Sequence, residues 1–251
     1  MINPLVDLAE GLRNPPVTDS GASWLRRLLL VGAALLAGLL FLPTPASAQV
    51  QIADAGTELP DYSAYYAALE AREAGDDATA LRLFTEAATN GLAIAQYNLG
   101  VMYFSGEGGV SQDYQQAYHW TRLAAEQGHV NAMVNLGTLY YNQLGVNPVW
   151  LDFWPANLIT RNSHYAEAAV WYSLAAEYDN GEAQYRLATL YDQGTGVVED
   201  KVEALKWALL ARDHEVGAAI ALVNRLEQTL TADQNNRAQQ AYARWVLDYR
   251  S

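Results

Sequence analysis

The feature that most constrains this chain is a nine-residue pattern that occurs three times. Ala95-Gln96-Tyr97-Asn98-Leu99-Gly100-Val101-Met102-Tyr103 returns as Ala132-Met133-Val134-Asn135-Leu136-Gly137-Thr138-Leu139-Tyr140, and again as Ala183-Gln184-Tyr185-Arg186-Leu187-Ala188-Thr189-Leu190-Tyr191. Each copy is followed by a Gly-Val turn and then an Ala-x-x-Trp segment, ending in Trp120, Trp171 and Trp207. Self-similarity of this kind marks stacked supersecondary units, each unable to bury its apolar face alone. Apolar and small residues recur at three- and four-residue spacing, which is the helical period. The expected fold is all-α: an α/α solenoid, a right-handed superhelix of about five helical hairpins, preceded by a signal peptide.

Helical periodicity starts near residue 61. It divides a repeat domain of 61–215 into units of about 61–93, 94–130, 131–180 and 181–216. The first hairpin turns tightly at Gly75-Asp76, in the manner of a tetratricopeptide unit. Residues 217–251 continue the register, because Ala219 lies 36 residues after Ala183. Thr231-Ala232-Asp233-Gln234 is a capping-box sequence. The segment therefore reads as a terminal capping hairpin whose last helix, rich in Gln, Asn and Arg, meets water on one side.

The spaced set Ala95, Leu99, Gly100, Tyr103, Gly109, Val110, Asp113, Ala117, Trp120, Ala124 and Ala125 recurs in the third hairpin without the aspartate, as Ala132, Leu136, Gly137, Tyr140, Gly145, Val146, Ala168, Trp171, Ala175 and Ala176, and in the fourth as Ala183, Leu187, Tyr191, Gly196, Val197, Asp200, Ala204 and Trp207. Ala188 stands where glycine is usual. This set resembles the Sel-1-like repeat family, a branch of the tetratricopeptide-like α/α repeats. The resemblance covers roughly residues 62–215. It implies a non-catalytic adaptor, and for exported bacterial members a role in the cell envelope. All matched positions are structural, so no catalytic residue carries over.

The amino-terminal part has the order of an export signal. Arg26-Arg27 precede the apolar run Leu28–Leu42, Pro43 ends it, and Ala46-Ser47-Ala48 places small residues just before Gln49. The run of 15 residues is short beside the ~20 that span a bilayer. Residues 1–48 are expected to be a signal peptide cleaved between Ala48 and Gln49, with 49–60 a flexible lead-in. The protein would then be periplasmic or secreted. If the signal stays uncleaved, this segment anchors the protein in the inner membrane with the repeats in the periplasm.

The formal charge of −13 and the absence of any basic run disfavour nucleic acid as a partner. There are no cysteines, which removes disulfides and thiolate chemistry. His119, His129, His164 and His214 show no metal-ligand spacing. Ser-x-x-Lys is absent, since Val198 and Glu203 stand three residues before Lys201 and Lys206. No cofactor or catalytic residue is expected. The expected partner is an unidentified envelope protein; the alternative is a glycan-binding module or envelope hydrolase using an aromatic groove.

One anomaly stands out. The turn Val and the helix Ala are 7 residues apart in the second and fourth hairpins and 22 apart in the third. About 15 residues, 147–161, are inserted there and carry Trp150, Phe153, Trp154 and Arg161. Long turns on repeats are common binding elements, and these residue types dominate interface energetics. They are the candidate partner-binding residues, with packing against the neighbouring hairpin as the competing role.

Overall fold

The computed structural model describes residues 61–146 and 164–249 in full, together with the helical backbone of 156–163 and of Arg250. The expected signal peptide and its cleavage residues Ala46, Ala48 and Gln49, the lead-in, and Trp150, Phe153 and Trp154 lie outside the described residues. Those described form ten helices and no strand. They are α1 (Ser63–Glu73), α2 (Asp77–Thr89), α3 (Ala93–Ser105), α4 (Tyr114–Glu126), α5 (Val130–Asn142), α6 (Ala156–Glu177), α7 (Gly181–Gln193), α8 (Lys201–Asp213), α9 (Gly217–Thr229) and α10 (Ala232–Arg250). From α1 to α9 each helix packs on the next in sequence, as stacked hairpins require.

The second helix of a repeat begins where an aspartate can cap it. Asp113 accepts from the backbone N–H groups of Gln115 and Gln116 at 2.9 and 3.1 Å, and Asp200 accepts from Val202 and Glu203 at 2.9 and 3.0 Å. Each satisfies donors that the first turn leaves without partners. Gln96 and Gln184, buried at the same register, donate to the carbonyls of Ala88 and Ala176. Those carbonyls belong to the last turns of α2 and α6, so each glutamine satisfies the end of the preceding repeat.

The Leu-Gly of the signature is a packing device. A Cβ on Gly100 would sit 2.3 Å from Thr121 Oγ1, and one on Gly137 would sit 2.7 Å from Tyr172 Cε1. The crossing partner on the second helix thus occupies the space a side chain would need. In the fourth repeat the pair at this register is Ala188 and Ala208, both fully buried. The turn glycines serve another close approach. Gly145 lies against the Tyr114 carbonyl and Gly196 against that of Tyr165, while Gly109 faces Asp77 at ordinary contact distance. Asp77, Tyr114 and Tyr165 hold equivalent register positions on a second helix, each three residues before the signature alanine Ala80, Ala117 or Ala168. Each turn therefore seats on the repeat before it.

Among the described residues two buried clusters form the core. One runs from Tyr65 to Met102, and the other from Ala124 to Ala238. Trp207 is buried at 3% exposure, whereas Trp120 and Trp171 pack at the rims of the clusters and stay partly exposed. Equal spacing in sequence did not translate into equal burial.

Two details depart from the expected organisation. Helix α6 has 22 residues where the other second helices, α2, α4 and α8, have 13. The insertion is therefore not a loop throughout, since residues 156–161 extend α6 at its amino-terminal end. Pro155 stands immediately before that helix in the sequence, at a place proline tolerates. At the other end α10 packs along α8. Trp245 meets Trp207 edge-on with ring centroids 6.3 Å apart, and the Tyr242 hydroxyl donates to Asp213 at 2.5 Å. The capping box is present: Gln234 N–H donates to Thr231 Oγ1 at 3.2 Å, and Thr231 N–H donates to Gln234 Oε1 at 3.0 Å.

Candidate interaction face

The signature residues are consumed by packing, so any face free to bind must come from positions that vary between copies. The first helices carry such positions at matched register. One row reads Tyr97, Val134, Tyr185; a second reads Val101, Thr138, Thr189; a third reads Phe104, Tyr141, Asp192. Where α5, α6 and α7 meet, Tyr141, Tyr172, Tyr185, Arg186, Thr189 and Leu190 line a depression of about 180 Å3.

Tyr172 is its floor. The ring is 1% exposed, and its hydroxyl lies 3.1 Å from Thr138 Oγ1. Burial raises the pKa of this phenol, so it stays protonated and neutral at physiological pH. Arg186 forms part of the wall. Its guanidinium carbon is 5.9 Å from the centre of the Tyr172 ring, within cation–π range. Its Nε is 2.7 Å from Glu182 Oε1, an ion pair one helical turn apart. Tyr141, on the opposite wall, packs against Tyr165 with ring centroids 5.2 Å apart.

In the next repeat the aromatic row ends in a charge cluster. Asp192 takes the register of Tyr141, and its side chain is 5% exposed. Arg225 from α9 donates to Oδ2 at 2.6 Å and to Oδ1 at 3.4 Å, and Lys201 from α8 donates to Oδ1 at 3.0 Å. Burial opposes the charge on Asp192, but the hydrogen bonds and charges of Arg225 and Lys201 outweigh it and hold the carboxyl below its ordinary range. The cluster ties three helices together, and with Glu199 3.0 Å from Lys201 its four charges sum to zero. A wider depression of about 460 Å3 lies beside it, lined by Lys201 and Arg237 among others. Its cations are already paired, Lys201 with Asp192 and Glu199, and Arg237 with Asp233.

Towards the amino-terminal end the same face carries His129. Its Nδ1 accepts the backbone N–H of Ala132 at 3.2 Å, which makes it the cap of α5. Its ring lies stacked on Tyr97. Burial pushes its pKa down to about 4, so the imidazole is neutral at pH 7.

Of the residues singled out from sequence, Arg161 falls within helix α6, one turn before Tyr165. Its side chain lies outside what is described, as do Trp150, Phe153 and Trp154. Among the described residues no group of three or more His, Asp or Glu side chains is arranged to hold a metal ion. Nor is any described helix long and apolar enough to cross a membrane. Sequence reasoning missed the cluster at Tyr172, Tyr185 and Arg186. The available signal was the set of varying positions at fixed register, read across copies instead of along one.

Comparison with known proteins agrees with this architecture. The family model described as Sel1 repeat matches residues 64–92, 93–129, 130–149, 158–178 and 181–215, together more than half of the chain. The protein belongs to the Sel1 repeat family. The match includes the first hairpin, and residues 150–157 fall between two matched segments. The crystal structure of a Sel1 repeat protein from Oxalobacter formigenes is 26% identical, covers 77% of this chain and 76% of that one, and superposes with a TM-score of 0.56. A chitin synthase regulator, SKT5, of Malassezia restricta is 30% identical over 151 residues, 60% of this chain. An ERAD-associated E3 ubiquitin-protein ligase component, HRD3B, of Arabidopsis thaliana is 25% identical over 126 residues, 50% of this chain. The chain spans only 10% and 17% of the lengths of these two curated relatives.

Proposed function

We propose that this protein is an exported, non-catalytic scaffold that captures another protein of the bacterial cell envelope through the tyrosine-lined face at α5–α7. The observation that carries this reading is the convergence of Tyr141, Tyr172, Tyr185 and Arg186, from three helices of two repeats, on one small aromatic depression. Partly exposed Tyr and Arg around such a depression are the residue types that anchor protein interfaces. The relatives support the reading by their names, one a regulator of a synthase and the other a component of a ligase. The sequence of residues 26–49 supports export. The aromatic insertion, with Trp150, Phe153, Trp154 and Arg161, is the second proposed contact region.

The test is crosslinked capture from envelope extract, with wild type and a Tyr185→Ala/Arg186→Ala variant compared side by side. A specific envelope protein retained by wild type and lost by the variant is the expected result. Retention on purified peptidoglycan with no protein captured would replace the scaffold reading by a glycan-binding one. Amino-terminal sequencing of the envelope-associated protein should begin at Gln49; a mature chain that retains Leu28–Leu42 would be anchored instead.

A further inference from the structure

The chemistry of the depression narrows what can enter it. At about 180 Å3 it falls below the ~300–1,000 Å3 of ordinary small-molecule pockets, and it has room for a single side chain. Its floor and most of its wall are phenol rings and Leu190. Among the described residues that line it the one cation, Arg186, is engaged on two sides, by the Glu182 carboxylate and by the face of Tyr172. Arg186 therefore contributes a flat, charge-balanced surface and does not wait for an anion. A carboxylate entering here would lose its hydration against phenol rings and Leu190, with only a guanidinium that already lies beside Glu182 to compensate it. An apolar side chain would lose only its contact with water, and it would gain ring faces on either side.

The surroundings set the sign of the flanks. The whole chain carries −13, and the charged cluster that closes the row at Asp192 is neutral once Glu199, paired with Lys201, is counted. A partner segment with acidic flanks is repelled at long range, and one with basic flanks is attracted.

We infer that the depression between α5 and α7 is the anchor pocket for one bulky apolar side chain, Phe, Leu or a near equivalent, carried on a partner segment with basic flanks. The inference rests on the scaffold reading of the same face and specifies the recognition chemistry within it. Affinity comes from the buried anchor. Rate and salt sensitivity come from the basic flanks.

The experiment is selection from a displayed library of short random peptides on the immobilised full chain. It is followed by fluorescence anisotropy with four synthetic probes: basic-flanked peptides centred on Phe, Ala or Glu, and an acid-flanked peptide centred on Phe. Selected sequences should share one aromatic or large aliphatic residue between Lys or Arg. The basic-flanked Phe probe should bind at least ~10-fold tighter than its Ala counterpart, as expected when a central anchor is removed. It should weaken as salt rises. Tyr185→Ala and Tyr141→Ala, on opposite walls, should each abolish the Phe-over-Ala preference while far-ultraviolet circular dichroism stays native and unfolding stays cooperative at a lowered midpoint, since both rings also pack on the core. Two variants guard against a fold defect in either one.

A Glu-centred probe that binds best would overturn the inference and make Arg186 an anion receptor. Equal binding of the Phe and Ala probes would overturn it too, as would selection without a consensus. If the captured envelope protein is still lost in the Tyr185→Ala/Arg186→Ala variant, the scaffold reading survives such a failure. If no envelope protein is captured at all, the scaffold reading fails on its own account.

Discussion

The imidazole of His129 lies on the phenol of Tyr97 with ring centroids 4.5 Å apart and planes 23° apart, joining the cap of α5 to the middle of α3. The same imidazole accepts the Ala132 N–H, so it must be neutral there. Its pKa is held near 4 in the fold, against an ordinary value of 6.5. Protonation would place a donor against a donor at the positive end of a helix dipole. Between pH 6.5 and 4 the unfolded chain binds the proton and the folded chain does not. The contribution is complete above pH 6.5 and is lost as pH falls towards 4, at most ~3 kcal/mol. His129→Asn supplies the kind of cap that Asn180 gives α7 and does not titrate. Thermal melts from pH 7.5 to 4 should show a shallower loss in this variant than in wild type; parallel curves would remove His129 from the account.

Gly137→Ala should destabilise the fold by about 2 kcal/mol, the middle of the overpacking range. The added methyl would strike the Tyr172 ring, which has no exposed side to retreat to. Gly100→Ala meets Thr121 Oγ1. Removing that atom with Thr121→Ala should recover part of the loss, which a double-mutant cycle in urea measures directly.

Asp192→Asn should cost about 2–3 kcal/mol at pH 7, through the loss of charge-assisted hydrogen bonds to Arg225 and Lys201. The partly exposed cations can turn back to water, which keeps the cost below that of a fully enclosed pair. The urea midpoint should fall with an unchanged m value.

Asp179 and Glu215 both adopt φ of +60°, at sites where the first two repeats place Gly91 and Gly128. Glu215→Gly should stabilise by up to ~1 kcal/mol through relief of that conformation. Asp179→Gly should do the opposite. Asp179 Oδ1 lies 2.7 Å from His214 Nε2 and accepts from Gln184 Nε2 at 3.0 Å, and both bonds would go. Differential scanning calorimetry of the two variants should show shifts of opposite sign.

The repeat architecture was legible because packing imposes the same residues at the same places in each copy. Ala95, Ala132 and Ala183 recur because helices approach closely there, and all three are fully buried. The aspartate caps and glycine turns were legible for the same reason. What did not recur could not be read this way. Helix α6 begins nine residues ahead of the register set by α4 and α8: residues 156–161 belong to the insertion and have no counterpart in the other copies, and 162–164, at the register of Ser111–Asp113, are helical as well. Nor does spacing report burial, which is why Trp207 lies deep while Trp120 and Trp171 stay at the rims. The depression at Tyr172 depends on three helices meeting, and a motif within one helix does not encode a meeting point.

The turn glycines give the array a direction. Gly109, Gly145 and Gly196 each reach backwards to the second helix in the repeat before, at the matched positions Asp77, Tyr114 and Tyr165. A repeat thus needs its predecessor as a platform and offers one to its successor. A chain emerging amino terminus first always meets a finished platform, so it can assemble stepwise as it is made or exported. Losing repeats from the carboxyl end leaves every remaining turn seated. Losing one from the amino end leaves the next turn with nothing beneath it.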